Sequence, residues 1–197
     1  TPSNFEQAAD LTAVKDVARS VGRHMNDYKV IVNKSTVPVG SGNWLEATIT
    51  AALRDGIDPS VLTVVSNPEF LREGSAIEDF MRPDRVVIGI NADRAREPLA
   101  LLYRPLSRTD VEIVFTTCAS AEVIKYAANT YLATRIGFVN QLADLCEKVG
   151  ANITDVTHGM GLDKRIGRHY LNPGPAFGGS CFPKDTRALM VTAREHE

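Results

Sequence analysis

A cysteine, a lysine and an aspartate stand close together near the end of the 197-residue chain. Cys181 follows two glycines and a serine, and Lys184 and Asp185 come shortly after it. A cysteine attacks carbonyl groups as its thiolate, which nearby positive charge and backbone N–H groups stabilise. Residues 177–185 are therefore a candidate turn for carbonyl chemistry, in which Lys184 supplies charge and Asp185 orients the lysine or a water molecule. A buried structural cysteine beside a charged turn is the alternative.

Two glutamates, Glu69 and Glu73, directly follow a predicted strand at residues 61–66. In open parallel sheets, ligands bind outside the carboxyl ends of the strands. Because the two glutamates are four residues apart, a helical turn here would place both carboxylates on one face. Such a pair can supply a general base and a contact to a cofactor or a water molecule. A solvated acidic turn explains the spacing equally well.

A third pair, Lys125 and Asn129, is also four residues apart and lies in a predicted helix at residues 120–149. Ser120 is a good N-cap, and the charge of Glu122 in the first turn suits the helix dipole. About thirty residues is long for a globular helix, which predicts that it crosses between domains or subunits. The alternative for Lys125 is a surface lysine whose stem packs on the helix.

The elements that must position these residues follow an α/β rhythm. Apolar runs predict buried strands at residues 29–35, 61–66, 85–90 and 111–115. Periodic apolar residues predict three helices around these strands. The apolar face of the first is formed by Val14, Val17, Ala18, Val21 and Met25, and that of the third by Leu99, Leu102 and Leu106. The second has Trp44, Thr48, Ile49 and Ala52 on one face and ends near Gly56. Asp10 or Thr12 can cap the first helix. Alternating helices and strands predict a parallel sheet.

After the long helix, residues 154–160 form a short predicted helix, and residues 163–170 are basic and contain an aromatic. Such a segment can hold a phosphate and stack a base, although a solvated basic loop also explains it. The net charge of −2 argues against nucleic acid or an anionic membrane as a partner. No apolar run is long enough to span a bilayer. Three cysteines without metal-ligand spacing indicate free thiols and no metal site, and a reducing compartment makes the cytoplasm the default location.

Five motifs together resemble those of the nucleotide-sugar dehydrogenases, the UDP-glucose/GDP-mannose dehydrogenase family. They lie at residues 35–40, 67–74, 125–130, 163–167 and 177–185, and they occur in the family's order. The resemblance covers nearly the whole chain and favours the functional interpretation of each pair described above. Residues 161–167 and 180–183 are more similar to the UDP-glucose branch of the family than to the GDP-mannose branch.

The resemblance implies a two-step oxidation of a sugar primary alcohol to a carboxylate with two NAD⁺. Cys181 would capture the aldehyde as a thiohemiacetal that a second oxidation converts to a thioester. Lys125 and Asn129 would assist deprotonation of the alcohol and stabilise the oxyanion, a role whose loss costs several kcal/mol. Glu69 would be the base for thioester hydrolysis, and Asp185 would help to hold a water molecule.

The resemblance also implies binding residues. The NAD contacts would be Thr36, Glu73 and Lys184. The sugar-nucleotide contacts would be Phe70, Leu71, Tyr170, Leu171 and Gly178, together with Arg165, which would reach the substrate of a neighbouring subunit. The implied partners are therefore a UDP-sugar and a second copy of the chain, joined as a homodimer through the long helix.

The implied architecture is an α/β fold in two parts. Residues 1–118 would be the later part of a Rossmann-like parallel-sheet NAD domain, and residues 119–197 would contain the long connecting helix and an all-α dimerisation and catalytic domain. The chain has no G-x-G-x-x-G turn for the NAD pyrophosphate. We therefore expect it to be the middle of a longer enzyme, inactive alone and weak in NAD⁺ binding.

Three alternatives remain at this stage. The first is a GDP-mannose 6-dehydrogenase, which has the same chemistry and another nucleotide. The second is a non-catalytic fragment that only dimerises through the long helix. The third, a thiol redox protein, ranks last because no second cysteine lies near Cys181 in the sequence.

Overall fold

A computed structural model describes residues 10–107, 111–177 and 179–196. Within these ranges the chain forms four strands and seven α-helices, with two short 3-10 turns at Pro59–Val61 and Asp93–Ala95. The strands are β1 (Lys29–Asn33), β2 (Leu62–Ser66), β3 (Arg85–Ile90) and β4 (Glu112–Thr116). The helices are α1 (Thr12–His24), α2 (Ser41–Thr50), α3 (Ala76–Met81), α4 (Arg96–Ser107), α5 (Cys118–Val149), α6 (Ile153–Gly161) and α7 (Cys181–Arg194).

The four strands form one mixed sheet in the order β1-β2-β3-β4. The outer pairs, β1 with β2 and β3 with β4, are parallel. The central pair is antiparallel, and its register sets Ser66 opposite Gly89. The α/β prediction is confirmed, but the prediction of a wholly parallel sheet is wrong. A parallel crossover normally needs a helix that packs back on the sheet. Only the six-residue α3 lies between β2 and β3, and its Ile77 and Phe80 are exposed.

The core of the sheet-containing part lies on both faces of β2. Leu62 and Val64 belong to a cluster with Ala18, Leu45 and Ile49 from α1 and α2, as the apolar patterns of those helices predict. Because side chains alternate along a strand, Val65 belongs to a different cluster. That cluster includes Val86, Ile88 and Ile90 from β3 and Leu99 from α4. All five residues of β2 are buried, as expected for a strand covered on both faces.

The predicted apolar faces are too wide at two positions. Val17 and Leu102 are 62% and 64% exposed, whereas their neighbours Ala18 and Leu99 are buried. Around the helix axis, Val17 is rotated by about 100° from Ala18, and Leu102 by about 60° from Leu99. These rotations carry both exposed side chains away from the buried face. The second predicted helix also ends early, at Thr50 instead of near Gly56.

Side chains and glycines define several helix ends. The Asp10 carboxylate accepts a hydrogen bond from the N–H of Thr12 at 2.9 Å, but the N-cap position of α1 is Leu11, so neither of the two predicted caps occupies it. Helix α5 begins at Cys118, two residues before the predicted Ser120. The Thr117 hydroxyl accepts from the N–H of Ser120 at 3.1 Å, which makes the preceding threonine the cap. Gly150, with φ of 74°, follows the end of α5 as predicted.

The described residues divide into two compact units, one within residues 1–125 and 191–197 and the other within residues 126–190. In the second unit the described elements are the remainder of α5, α6 and most of α7. A self-contained all-α domain is therefore not present as predicted, because α5 begins and α7 ends in the unit that contains the sheet. The residues around Cys181 also differ from the prediction, since the turn ends at Ser180 and Cys181 is the first residue of α7.

Candidate active site

Lys125 is buried in the first unit, which contradicts the alternative of a surface lysine. It is 3% exposed. Its ammonium donates to the carbonyl oxygen of Glu69 at 2.5 Å and lies 3.5 Å from Glu69 Oε1. The Phe70 ring lies 5.3 Å from Lys125 Nζ. An ammonium group is costly to bury without such partners, so its position on α5 is strongly specified.

Glu69 is held at both of its carboxylate oxygens. Oε2 accepts from the N–H of Leu71 at 2.6 Å, and Oε1 faces Lys125. The side chain is one-third exposed, so solvent reaches the carboxylate. A carboxylate that is fixed in orientation and still open to water can act as a general base.

The expected pairing of Glu69 with Glu73 is not found. Residues 67–72 contain no helical turn, and Glu73 is an exposed residue in the turn that precedes α3. The premise of a shared helical face is therefore wrong. The segment is instead organised by Arg72, whose guanidinium and backbone N–H both bond the Asp79 carboxylate.

The Phe70 ring has two cations of the first unit close to it. The Arg85 guanidinium carbon lies 3.7 Å from the ring centroid, and the Lys125 ammonium lies 5.3 Å from it. Arg85 begins β3, so this stacking joins the segment after β2 to the first residue of β3. Leu71 follows directly and is half-buried.

The loop between β1 and α2 is bound to α5 through Glu122. One carboxylate oxygen accepts from the N–H of Gly40 at 2.7 Å. The other accepts from the N–H of Gly42 at 2.8 Å and from the hydroxyl of Ser66 at 2.7 Å. Burial raises the pKa of the Glu122 carboxyl above its ordinary value, and the hydrogen bonds offset this only in part. The same loop contains Thr36, which is half-buried.

In the second unit, Asp185 is fully buried and joins two other predicted site residues. Its Oδ2 accepts from the Asn129 amide at 2.6 Å, and its Oδ1 accepts from the Lys184 ammonium at 2.5 Å. Asn129 is buried and Lys184 is partly buried. A buried carboxylate needs such donors, and this cluster satisfies both of its oxygens.

Cys181 begins α7, one turn before Asp185, and is only partly buried. The N-terminus of a helix favours a negative charge, so this position suits a thiolate. The rings of Phe177 and Phe182, which flank Cys181 in the sequence, pack edge to face with their centroids 5.8 Å apart. By contrast, Cys118 and Cys146 are buried, and burial raises the pKa of the Cys118 thiol. Cys181 is therefore the most accessible of the three thiols.

The predicted sugar-nucleotide residues of the second unit have distinct environments. Leu171 is buried, and Tyr170 is half-buried with a left-handed φ of 59°, an uncommon conformation for a bulky residue. The Arg165 guanidinium is exposed and bonds the Asp163 carboxylate, with its shortest contact 2.6 Å. This guanidinium holds the pKa of Asp163 below its ordinary value. Gly178 lies outside the described residues.

Three residues that organise the site were missed by the sequence analysis in this role. Glu122 was assigned only to the helix dipole, although it lies between buried Ala121 and buried Lys125. Asp163 pairs with Arg165, and Arg135 donates to the carbonyl oxygens of Ile166 and Gly167 at 2.8 and 3.1 Å. A charged residue within the apolar pattern of a helix was the available signal for Glu122 and Arg135.

The described residues hold no group of three or more histidine, cysteine, aspartate or glutamate side chains with the arrangement of a metal site. None of the helices in that part of the chain has both the length and the apolar character needed to cross a membrane.

Comparison with known proteins gives matches along almost the whole chain. Residues 1–107 match the NAD binding domain of the UDP-glucose/GDP-mannose dehydrogenase family, and residues 119–197 match the central domain of that family. A UDP-glucose 6-dehydrogenase of Rhizobium meliloti is 53% identical over 96% of this chain and 43% of its own length. UDP-glucose 6-dehydrogenase TuaD of Bacillus subtilis is 50% identical over 98% of this chain and 41% of its own length.

Solved structures give the same picture. A UDP-glucose dehydrogenase of Pyrobaculum islandicum has a TM-score of 0.91 and 42% identity, over all of this chain and 45% of that structure. A GDP-mannose dehydrogenase of Pseudomonas aeruginosa, solved as a ternary complex, has a TM-score of 0.76 and 34% identity, over 99% of this chain and 45% of that structure. The chain thus spans less than half the length of the relatives that it matches.

Proposed function

Because this chain belongs to the UDP-glucose/GDP-mannose dehydrogenase family, we propose that its protein oxidises UDP-glucose to UDP-glucuronate. The family resemblance and the expectation of NAD as the cofactor are both confirmed, since the match over residues 1–107 is to an NAD binding domain. The observation that carries the proposal is the buried Lys125 ammonium against Glu69, with the backbone oxygen 2.5 Å away. A fixed cation at the end of a strand suits a developing oxyanion.

The chemistry of the proposed NAD contacts fits the cofactor. Thr36 offers a half-buried hydroxyl, Glu73 an exposed carboxylate and Lys184 a partly buried ammonium. These groups match the amide, ribose hydroxyl and phosphate groups of a dinucleotide. When bound, NAD⁺ accepts one hydride in each of two oxidation steps.

In the first oxidation, Lys125 and Asn129 assist loss of the proton from the primary alcohol, and the alcohol carbon gives up a hydride. The product is an aldehyde. The ammonium of Lys125 stabilises the alkoxide as it forms, and this effect is large because the group is removed from water. Asn129, whose amide bonds Asp185, contributes a neutral donor in the same role.

In the second oxidation, the Cys181 thiolate forms a bond to the aldehyde carbon, and the thiohemiacetal that results loses a hydride to give a thioester. Glu69 then removes a proton from a water molecule that attacks the thioester. The carbon–sulfur bond breaks, the Cys181 sulfur leaves as the thiolate and the product is a carboxylate. Asp185 helps to hold the water. The family resemblance assigns contacts with the sugar nucleotide to Phe70, Leu71, Tyr170, Leu171 and Gly178.

We also propose that the two parts of the chain have the different roles that the resemblance implies. Residues 1–118 would be the later part of a Rossmann-like NAD domain, and residues 119–197 would supply the helical catalytic part. The match of residues 119–197 to a central domain supports this proposal. The three free cysteines support a reducing compartment, so we place the reaction in the cytoplasm.

The test is an assay of the protein at the full length of its relatives with UDP-glucose and NAD⁺. We expect two NADH for each UDP-glucuronate formed, and turnover with GDP-mannose at least about a hundredfold slower, because a polar nucleotide site rejects a mismatched base strongly. Preferential oxidation of GDP-mannose would establish the GDP-mannose alternative instead. Absence of NADH with both sugars would favour the non-catalytic dimerisation fragment.

We further propose that the protein is a homodimer joined through α5. Helix α5 exposes an apolar stripe formed by Tyr131, Phe138, Leu145 and Val149, each more than half exposed. The first three are seven residues apart, so they align along one side of the helix. Such a stripe of large apolar side chains is typical of an interface. The neighbour would supply Arg165 to the substrate of the first subunit.

The dimer proposal predicts that Phe138→Glu shifts the full-length protein from dimer to monomer in analytical ultracentrifugation at micromolar concentration. A buried unpaired carboxylate at an interface costs about 3–5 kcal/mol, which is comparable to the free-energy difference of about 4 kcal/mol between nanomolar and micromolar affinity. Lys148→Glu is the matched control, because it adds a glutamate to an exposed position beside the stripe. A Phe138→Glu protein that remains a dimer would contradict the proposal.

A further inference from the structure

The carboxylate of Glu122 is buried and bonded only to uncharged donors among the residues that the structure describes. It is 3% exposed. A buried carboxylate without a cation is expensive unless hydrogen bonds satisfy its oxygens, and these three bonds do so. The Glu122 carboxylate and its three hydrogen bonds are therefore part of the folded interior and not an incidental surface contact.

The three donors come from two separate segments. Gly40 and Gly42 lie where the loop after β1 enters α2, close in sequence to Thr36. Ser66 is the last residue of β2, three residues before Glu69. Glu122 itself is three residues before Lys125 on α5. One carboxylate thus joins segments that lead to a proposed cofactor contact, a proposed base and a proposed oxyanion-stabilising lysine.

The first turn of α2 approaches α5 closely because residue 42 is glycine. A Cβ atom at this position would lie 2.9 Å from the Cys118 Cβ and 3.4 Å from Glu122 Oε1. This spacing leaves no room for a side chain between the two helices. The backbone N–H of Gly42 can therefore reach the carboxylate directly.

We propose that Glu122 is a positioning residue for the oxidation. It fixes the positions of Lys125 on α5 and of the loop that contains Thr36 relative to the end of β2. The inference rests on the proposed function, because it takes its importance from the roles of Lys125, Glu69 and Thr36. Glu122 does not touch the substrate in this proposal. It acts by fixing the distance between the lysine ammonium and the Glu69 segment, and by fixing the loop that contacts NAD.

The central test is Glu122→Gln in the full-length protein. Glutamine keeps the shape of glutamate, but its NH₂ replaces one accepting oxygen and faces a donor of the loop or of β2. A hydrogen bond to a charged group is lost and a buried N–H is left unpaired. We expect kcat to fall about ten- to hundredfold and KM for NAD⁺ to rise several-fold. We expect KM for UDP-glucose to change by less than about twofold.

Two further variants complete the experiment. Ser66→Ala removes one of the three donors and is small enough to fold if Glu122→Gln does not, and we expect it to lower kcat about three- to tenfold. Glu147→Gln, at an exposed position of the same helix, is the matched control and should leave all three constants unchanged. All kinetic values are divided by the folded fraction measured by circular dichroism.

The separate effects on kcat, KM for NAD⁺ and KM for UDP-glucose distinguish a positioning role of Glu122 from a role in stability alone. A purely structural role would lower the melting temperature and the folded fraction while the constants per folded molecule stay the same, and that result would overturn the inference. Unchanged kcat and KM for NAD⁺ in both Glu122→Gln and Ser66→Ala would also overturn it. A wild-type protein without turnover would overturn the proposed function together with the inference, whereas an active wild type with unaffected variants overturns the inference alone.

Discussion

Replacement of Cys181 by alanine in the full-length protein will lower steady-state production of UDP-glucuronate by about ten-thousandfold or more, the scale seen when a covalent nucleophile is removed. The reason is chemical. An aldehyde has no good route to a carboxylate by hydride loss until a nucleophile has added to its carbon. The accessible position of Cys181 at the start of α7 makes it the thiol able to add, since Cys118 and Cys146 are buried.

The measurement should separate the two oxidations. In a single turnover with enzyme in excess, we expect Cys181→Ala to form at most one NADH for each UDP-glucose, because the first oxidation does not use the thiol. The wild type should form two. Ser180→Ala, the exposed neighbour, is the matched control and should retain wild-type turnover within about threefold. Two NADH per sugar from Cys181→Ala would show that the thiol is not the nucleophile.

Replacement of Lys125 by methionine is expected to lower kcat by about a thousandfold, comparable to removal of an oxyanion donor. Methionine retains the length and the apolar stem of lysine but has no charge. It leaves the Glu69 carbonyl oxygen without its donor at 2.5 Å. Because the lysine is 3% exposed, water cannot replace the ammonium easily.

The effect should appear in the first oxidation, so single-turnover formation of the first NADH is the measurement. Lys148→Met, at an exposed position near the end of the same helix, is the control and should change kcat by less than about twofold. A Lys125→Met protein within about tenfold of the wild type would contradict the proposed role. Full loss of folding by circular dichroism would instead assign Lys125 a mainly structural role.

Local sequence pattern predicted the strands well, because each is a short apolar run that ends at polar or turn-forming residues. Strand β3 was predicted with its observed bounds, Arg85–Ile90. The direction in which β3 pairs with β2 was not predictable in the same way. Strand direction depends on whether the connecting chain contains a helix that packs on the sheet. None of the six residues of α3 is buried, and this exposure is known only from the fold.

The site shows the same limit at the level of single side chains. Sequence spacing placed Lys125 and Asn129 on one helix, but burial of the ammonium depends on where β2 lies, which is a tertiary property. For Glu122 the local environment of a first helical turn suggested a dipole interaction. Its actual partners at Gly40, Gly42 and Ser66 are more than fifty residues away in the chain. Roles carried by the family resemblance, such as that of Arg165, remain predictions.

The reversal of direction between β2 and β3 has a geometric consequence for helix α5. The helix begins beside the carboxyl end of β3, since a Cβ on Gly89 would lie 2.7 Å from the Cys118 Cα. Farther along α5, Glu122 bonds Ser66 and Lys125 bonds Glu69, so α5 and the chain after β2 run in the same direction. Each residue of α5 advances about 1.5 Å and turns about 100°. The number of residues between Cys118 and Lys125 therefore sets both the height and the rotation at which the ammonium reaches Glu69.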